Sequence, residues 1–188
     1  MKLTIPTWLT LLRILLIPVL VMVFYLPYKW TNFASAAVFI LAAVTDWLDG
    51  WIARRYHQYS AFGAFLDPVA DKLMVAVALF LIVQGHPTPW MAFWASVIVG
   101  REIAVSALRE WMAELGQRAK VAVALVGKIK TTVQMTAIPF LLYNGQLFDL
   151  IDTRFWGNIL LWLAVVLTVW SMLYYLQRAW PAIREKAK

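Results

Sequence analysis

Six runs of roughly twenty mostly apolar residues, each ended by turn-forming residues, decide the class of this chain. They cover 8–27, 33–56, 65–84, 90–114, 121–143 and 155–177. The breaks fall at Pro27 and Asn32, at Gly63, at Gly85-His86-Pro87-Thr88-Pro89, at Gly116 and at Asn144-Gly145. A helix of that length spans the hydrocarbon core of a bilayer. The expected fold is therefore all-α: a polytopic bundle of six transmembrane helices in one domain over 1–188, with residues 1–6 as a short interfacial lead-in. Only 14% of the 188 residues are charged, against about a quarter in a soluble domain. The 63% hydrophobic content likewise excludes a disordered chain. Cysteine is absent, which removes disulfides, thiolate metal sites and a cysteine nucleophile from consideration. Arg13 interrupts the first run and no small-residue cleavage site follows, so that run reads as a retained helix rather than a signal peptide.

The formal charge of +7 orients the bundle. With six spans both termini share one side. Arg54, Arg55, Arg118, Lys120, Arg178, Arg184, Lys186 and Lys188 fall on that side, whereas the opposite connections hold Lys29 and Arg154. The positive-inside rule then makes the terminal side cytoplasmic. It accounts for the basic surplus through membrane lipids and leaves no role for nucleic acid. Trp30, Trp90, Trp156 and Trp180 stand near span ends, where indoles suit the headgroup layer.

Charges inside the spans carry the functional information. An ionised side chain at mid-bilayer costs at least about 3 kcal/mol, so such groups face one another or a polar cavity. Asp46 and Asp49 lie toward the cytoplasmic end of the second span, and Asp67 and Asp71 in the first turns of the third. Spacings of three and four put each pair on one helical face, so two helices can bring four carboxylates to one point. Four like charges repel unless cations join them, and two divalent ions would balance them. Oxygen-only ligands favour hard ions, Mg2+ or Mn2+, and magnesium commonly completes its shell with water or substrate phosphate. The alternative is local pairing of Asp46 and Asp49 with Arg54 or Arg55, and of Asp71 with Lys72. Gly50, Ala53 and Gly63 beside the acids either admit a ligand to the backbone or serve helix packing and a turn.

Together these positions read Asp46-x2-Asp49-Gly50-x2-Ala53-Arg54-x8-Gly63-x3-Asp67-x3-Asp71. The segment resembles the signature of the CDP-alcohol phosphotransferases, integral membrane enzymes that transfer a substituted phosphate from a CDP-linked donor to an alcohol. Pro6-Thr7-Trp8-Leu9-Thr10-Leu11-Leu12-Arg13 is similar to the family's opening Pro-Asn-x-Leu-Thr-x-x-Arg stretch, with Thr7 in place of the frequent Asn. Arg101-Glu102, the Ser106-Ala107-Leu108-Arg109-Glu110 run and Gly127-Lys128-x-Lys130-Thr131 are similar to the bacterial branch that takes CDP-diacylglycerol as donor and glycerol-3-phosphate as acceptor.

The resemblance implies that Asp46, Asp49, Asp67 and Asp71 hold two metal ions and that Asp71 is the general base. It implies a CDP pocket at Gly50, Ala53, Arg54 and Gly63, an acceptor phosphate site at Arg101, Arg109, Lys128 and Lys130, an inner-membrane location and a homodimer. Snorkelling is the alternative for Arg54, Arg109 and Lys128, an ion pair with Glu102 for Arg101, and a backbone bond for Thr131. Phe62, Phe65 and Leu66 would flank an acyl-chain groove or serve as packing. Rival functions are other reactions of the same family, making cardiolipin, phosphatidylinositol or phosphatidylserine. A cation-coupled transporter is the rival from another class, and it calls for ionisable groups across the whole depth.

Overall fold

The computed structural model describes residues 4–56, 60–116 and 125–186, and each apolar run is helical there. The helices are α1 (Ile5–Phe24), α2 (Thr31–Tyr56), α3 (Ala61–Gly85), α4 (Pro89–Glu114), α5 (Leu125–Tyr143) and α6 (Thr153–Lys186). Their starts follow from local chemistry. Pro6 occupies the first turn of α1, where a missing N–H breaks no helical bond. The Ser60 hydroxyl accepts from the Gly63 N–H at the start of α3, and the Thr88 hydroxyl from the Met91 N–H at the start of α4. Asp152 caps α6 by accepting from the N–H groups of Arg154 and Phe155.

Three expectations change. Ile5 and Pro6 belong to α1, so among the described residues of the expected lead-in only Thr4 stays outside the helix; residues 1–3 lie outside the described residues. The break expected at Gly63 falls at Ser60 instead, because the Ser60 cap starts α3 three residues earlier. The turn between α5 and α6 contains a small antiparallel pair, Gln146–Leu147 with Ile151–Asp152, turned by Phe148 and Asp149 at φ 55° and 56°. Residues 121–124 of the fifth run and Arg118, Lys120 and Lys188 lie outside the described residues.

Each helix packs on two neighbours, closing a ring in the order α1, α3, α4, α6, α5, α2, with α3 also touching α5 across it. Although α2 and α3 are consecutive in the chain, they barely touch each other; α1 packs against both and stands between them. Leu20, Phe39, Leu79, Ile82, Ile98, Ile138 and Leu161 fill the centre.

The outside is apolar as well: Leu15, Met22, Phe33, Trp47, Phe65, Phe80 and Trp170 are exposed, far more contiguous apolar surface than a water-soluble protein carries. This is an all-α membrane protein. Helices α1, α2, α4 and α6 (over Thr153–Pro181) are long and apolar enough to cross a bilayer. Helices α3 and α5 are not among them, and both carry charges in their first half. Trp30, Trp90 and Trp156 are exposed at the end of the bundle where α2, α4 and α6 begin.

Candidate active site

The acids of α2 and α3 meet at one depth. At 1.5 Å of rise per residue, Asp49 and Asp46 stand about 10 and 15 Å from the end of α2. Asp67 and Asp71 stand about 9 and 15 Å from the start of α3, and Arg13 about 12 Å along α1. Carboxylate oxygens of Asp46, Asp49 and Asp67 lie within 4.8 Å of one another, a spacing that can hold a cation. Asp71 joins them through Arg13, whose guanidinium bonds Asp49 and Asp71, lies 3.0 Å from Asp46 and reaches Asp67 at 3.6 Å. With all four acids ionised, one guanidinium leaves a formal excess of three negative charges, which suits divalent cations.

The local pairings considered for these acids are not formed among the described residues. Arg13 from a third helix takes the place given to Arg54 and Arg55, and the Lys72 ammonium donates to the Ser106 hydroxyl instead of pairing with Asp71. One face of α1 is devoted to this neighbourhood. Thr10 donates to Asp67 at 3.1 Å, and the hydroxyls of Thr7 and Ser60 are 2.8 Å apart. Position 7 therefore has a polar role with threonine in it.

A cavity of about 240 Å³ opens against the cluster. Asp49, Gly50, Ala53, Arg54, Gly63 and Asp67 line it together with Thr7, Thr10 and Ser60, so all four residues expected in a CDP pocket share one space. The glycines have identifiable reasons. A Cβ on Gly50 would stand 3.3 Å from the Arg54 guanidinium, and one on Gly63 would stand 2.8 Å from the Ser60 hydroxyl and 3.0 Å from that of Thr7.

The basic residues divide. Arg109 donates to the Tyr175 hydroxyl at 3.0 Å with its guanidinium carbon 5.0 Å from the ring centre. Arg101 donates to Ser171 at 3.0 Å and lies 5.6 Å from the same ring. The alternative considered for it, an ion pair with Glu102, is long, at 3.9 Å. The Nε atoms of Arg101 and Arg109 are buried without a hydrogen-bond partner among the described residues, leaving donors for an anion. Lys130 is buried and engaged with Glu102 from α4, so it is not a free point charge. Lys128 is exposed. The Thr131 hydroxyl bonds the Gly127 carbonyl at 2.9 Å, the backbone alternative. Phe62 and Phe65 are exposed on the outside of α3.

Two residues were outside the sequence-derived site. Arg13 stood in the sequence as an interruption of an apolar run and as the last residue of the opening Pro6–Arg13 stretch, with no site role attached; its signal is that a charge in a spanning helix needs partners. Tyr175 is fully buried between two arginines; Arg101 and Arg109, two turns apart on one helix face, require such a companion.

Residues 3–170 match the CDP-alcohol phosphatidyltransferase family. The chain is 51% identical over 179 residues to proteins named CDP-diacylglycerol–glycerol-3-phosphate 3-phosphatidyltransferase in Escherichia coli (strain K12) and in Shigella flexneri serotype 5b, covering 95% of this chain and 96% of each relative.

Proposed function

This chain belongs to the CDP-alcohol phosphatidyltransferase family, and we propose that it transfers the phosphatidyl group of CDP-diacylglycerol to glycerol-3-phosphate, releasing CMP. The observation that carries the proposal is the meeting of Asp46, Asp49, Asp67 and Asp71 beside a cavity lined by Gly50, Ala53, Arg54 and Gly63. The name shared by relatives half identical over nearly the whole chain supports the donor and the acceptor.

Asp46, Asp49 and Asp67, with Asp71 shared, would hold the divalent ions, Mg2+ or Mn2+. When bound, such ions neutralise the diphosphate and make its phosphorus more electrophilic. The cavity takes the CDP portion, with Arg54 drawn over Gly50 to offer donors to phosphate. Asp71 accepts the proton of the primary hydroxyl of glycerol-3-phosphate. The hydroxyl oxygen bonds the phosphorus that carries diacylglycerol, and the phosphorus–oxygen bond to CMP breaks, CMP keeping that oxygen. A carboxylate among cations is a weak base, so alignment of oxygen and phosphorus contributes more than basicity. Arg101 and Arg109 hold the acceptor's phosphate through their unpaired donors. Lys130 acts behind them by fixing Glu102.

All six helices cross the membrane in this reading, α3 and α5 being sheltered by contacts within the ring. The end of the bundle with Arg54, Arg55, Lys128, Arg178 and Arg184 faces the cytoplasm, and two copies associate as a homodimer. At the opposite end, His86, Thr88, Arg154 and Asn158 help to line a cavity of about 220 Å³ that no Asp or Glu lines. Burial and the Arg154 charge hold the His86 imidazole below its usual pKa, and therefore neutral. That cavity offers cations no acidic continuation, which disfavours a transporter.

The test is CMP release by purified protein given CDP-diacylglycerol and Mg2+ with glycerol-3-phosphate, inositol phosphate, serine or phosphatidylglycerol in turn. Glycerol-3-phosphate is the expected acceptor. Reaction with a different one alone would overturn the acceptor while leaving the family intact.

A further inference from the structure

We propose that Arg13 is the resident cation of the carboxylate cluster. It holds the four aspartates together when no divalent ion is bound and competes with such ions for their oxygens. This rests on the reading that those aspartates bind divalent ions.

Arg13 is 1% exposed and stands where α1 separates α2 from α3. Its two terminal nitrogens serve all four acids: one bonds Asp49, and the other bonds Asp71 and lies 3.0 Å from Asp46 and 3.6 Å from Asp67. No other cation pairs with these acids among the described residues. A guanidinium presents five donors in a rigid planar fork, against the three of an ammonium on a flexible stem, so more carboxylate oxygens can be held in a fixed arrangement. Thr7 and Thr10, roughly two turns and one turn before it, are buried and bonded to Ser60 and Asp67, so the α1 backbone beneath Arg13 is fixed in place.

Arg13 therefore has two effects of opposite sign. Removing it leaves four converging carboxylates without a partner, which destabilises the ion-free protein. It also removes a positive charge a few ångströms from every ligand oxygen, which strengthens binding of any other cation. A side chain that merely packed would produce the first effect and not the second. The Nε of Arg13 is buried without a partner among the described residues, so the side chain retains a donor for a new position once ions claim the carboxylates.

The experiment uses full-length protein in detergent, stripped of ions with a chelator. Thermal midpoints are recorded without ions, and Mn2+ affinity is measured from free Mn2+ by electron paramagnetic resonance, for wild type, Arg13→Met and Arg13→Lys. Arg13→Met is expected to melt below wild type without ions and to bind Mn2+ at least about tenfold more tightly. Arg13→Lys is expected to fall between the two. Mn2+ binding equal to or weaker than wild type in the variants overturns the proposal. If Arg13→Met cannot be recovered without ions, Arg13→Lys decides by the same two readouts. Asp46→Asn separates the premise: wild type that binds no Mn2+, or binds it equally with Asp46→Asn, overturns the metal reading and the proposal with it.

Discussion

Gly63→Ala tests how the cavity wall is built. The added methyl would stand 2.8 Å from the Ser60 hydroxyl and 3.0 Å from the Thr7 hydroxyl, two groups that bond each other at 2.8 Å, while Ser60 also caps α3. Ser60 must yield. Losing the cap costs about 1 kcal/mol, and losing the Thr7–Ser60 bond costs about 1 kcal/mol more. Alanine returns up to about 1 kcal/mol through its helix propensity, so a net destabilisation of about 1–2 kcal/mol is expected. The cause is isolated by Ser60→Ala, which removes the same two bonds and the nearer obstacle. The double variant should therefore be no worse than Ser60→Ala alone, giving a coupling of about 2 kcal/mol. Unfolding in mixed micelles by added SDS, followed through the 11 tryptophans, measures all four proteins. Strictly additive losses, or a Gly63→Ala protein as stable as wild type, would refute the reasoning.

Asp71→Asn should abolish CMP release while keeping the wild-type unfolding midpoint within a few degrees, because Arg13 keeps its other three carboxylates; normal turnover would remove Asp71 from the chemistry. Arg109→Ala should raise the KM for glycerol-3-phosphate about tenfold or more with little change in kcat. Tyr175→Phe, which removes one hydrogen bond and keeps the ring, should raise it less, and steady-state kinetics separates the cases. Glu102→Gln should cost about 3 kcal/mol or more in the same SDS titration, since the buried Lys130 ammonium loses its partner.

The aspartates were legible because a carboxylate in an apolar span is costly and because spacings of three and four fix a helix face. Gly50, Ala53, Arg54 and Gly63 followed from their places in the same segment, and the structure gathers them in one cavity. What one sequence does not encode locally is which helices are neighbours. The ring order puts α1 between α2 and α3, and only that placement turns Arg13 from an isolated charge into the hub of the cluster. The same limit hid the pairing of Lys130 with Glu102 and the burial of Tyr175 between Arg101 and Arg109, which depend on α4 meeting α5 or α6. Gly63 reads as a turn by composition, yet the space it provides is needed by two hydroxyls, one of them from α1. The strand pair near Phe148 is too short to leave a periodic pattern.

Chelation of the purified protein tests the central claim, that converging aspartates on α2 and α3 hold divalent cations for phosphatidyl transfer. CMP release from CDP-diacylglycerol and glycerol-3-phosphate is measured after stripping with EDTA and again on adding Mg2+. The account predicts that release stops and then returns with Mg2+. Undiminished release from thoroughly stripped protein would contradict it.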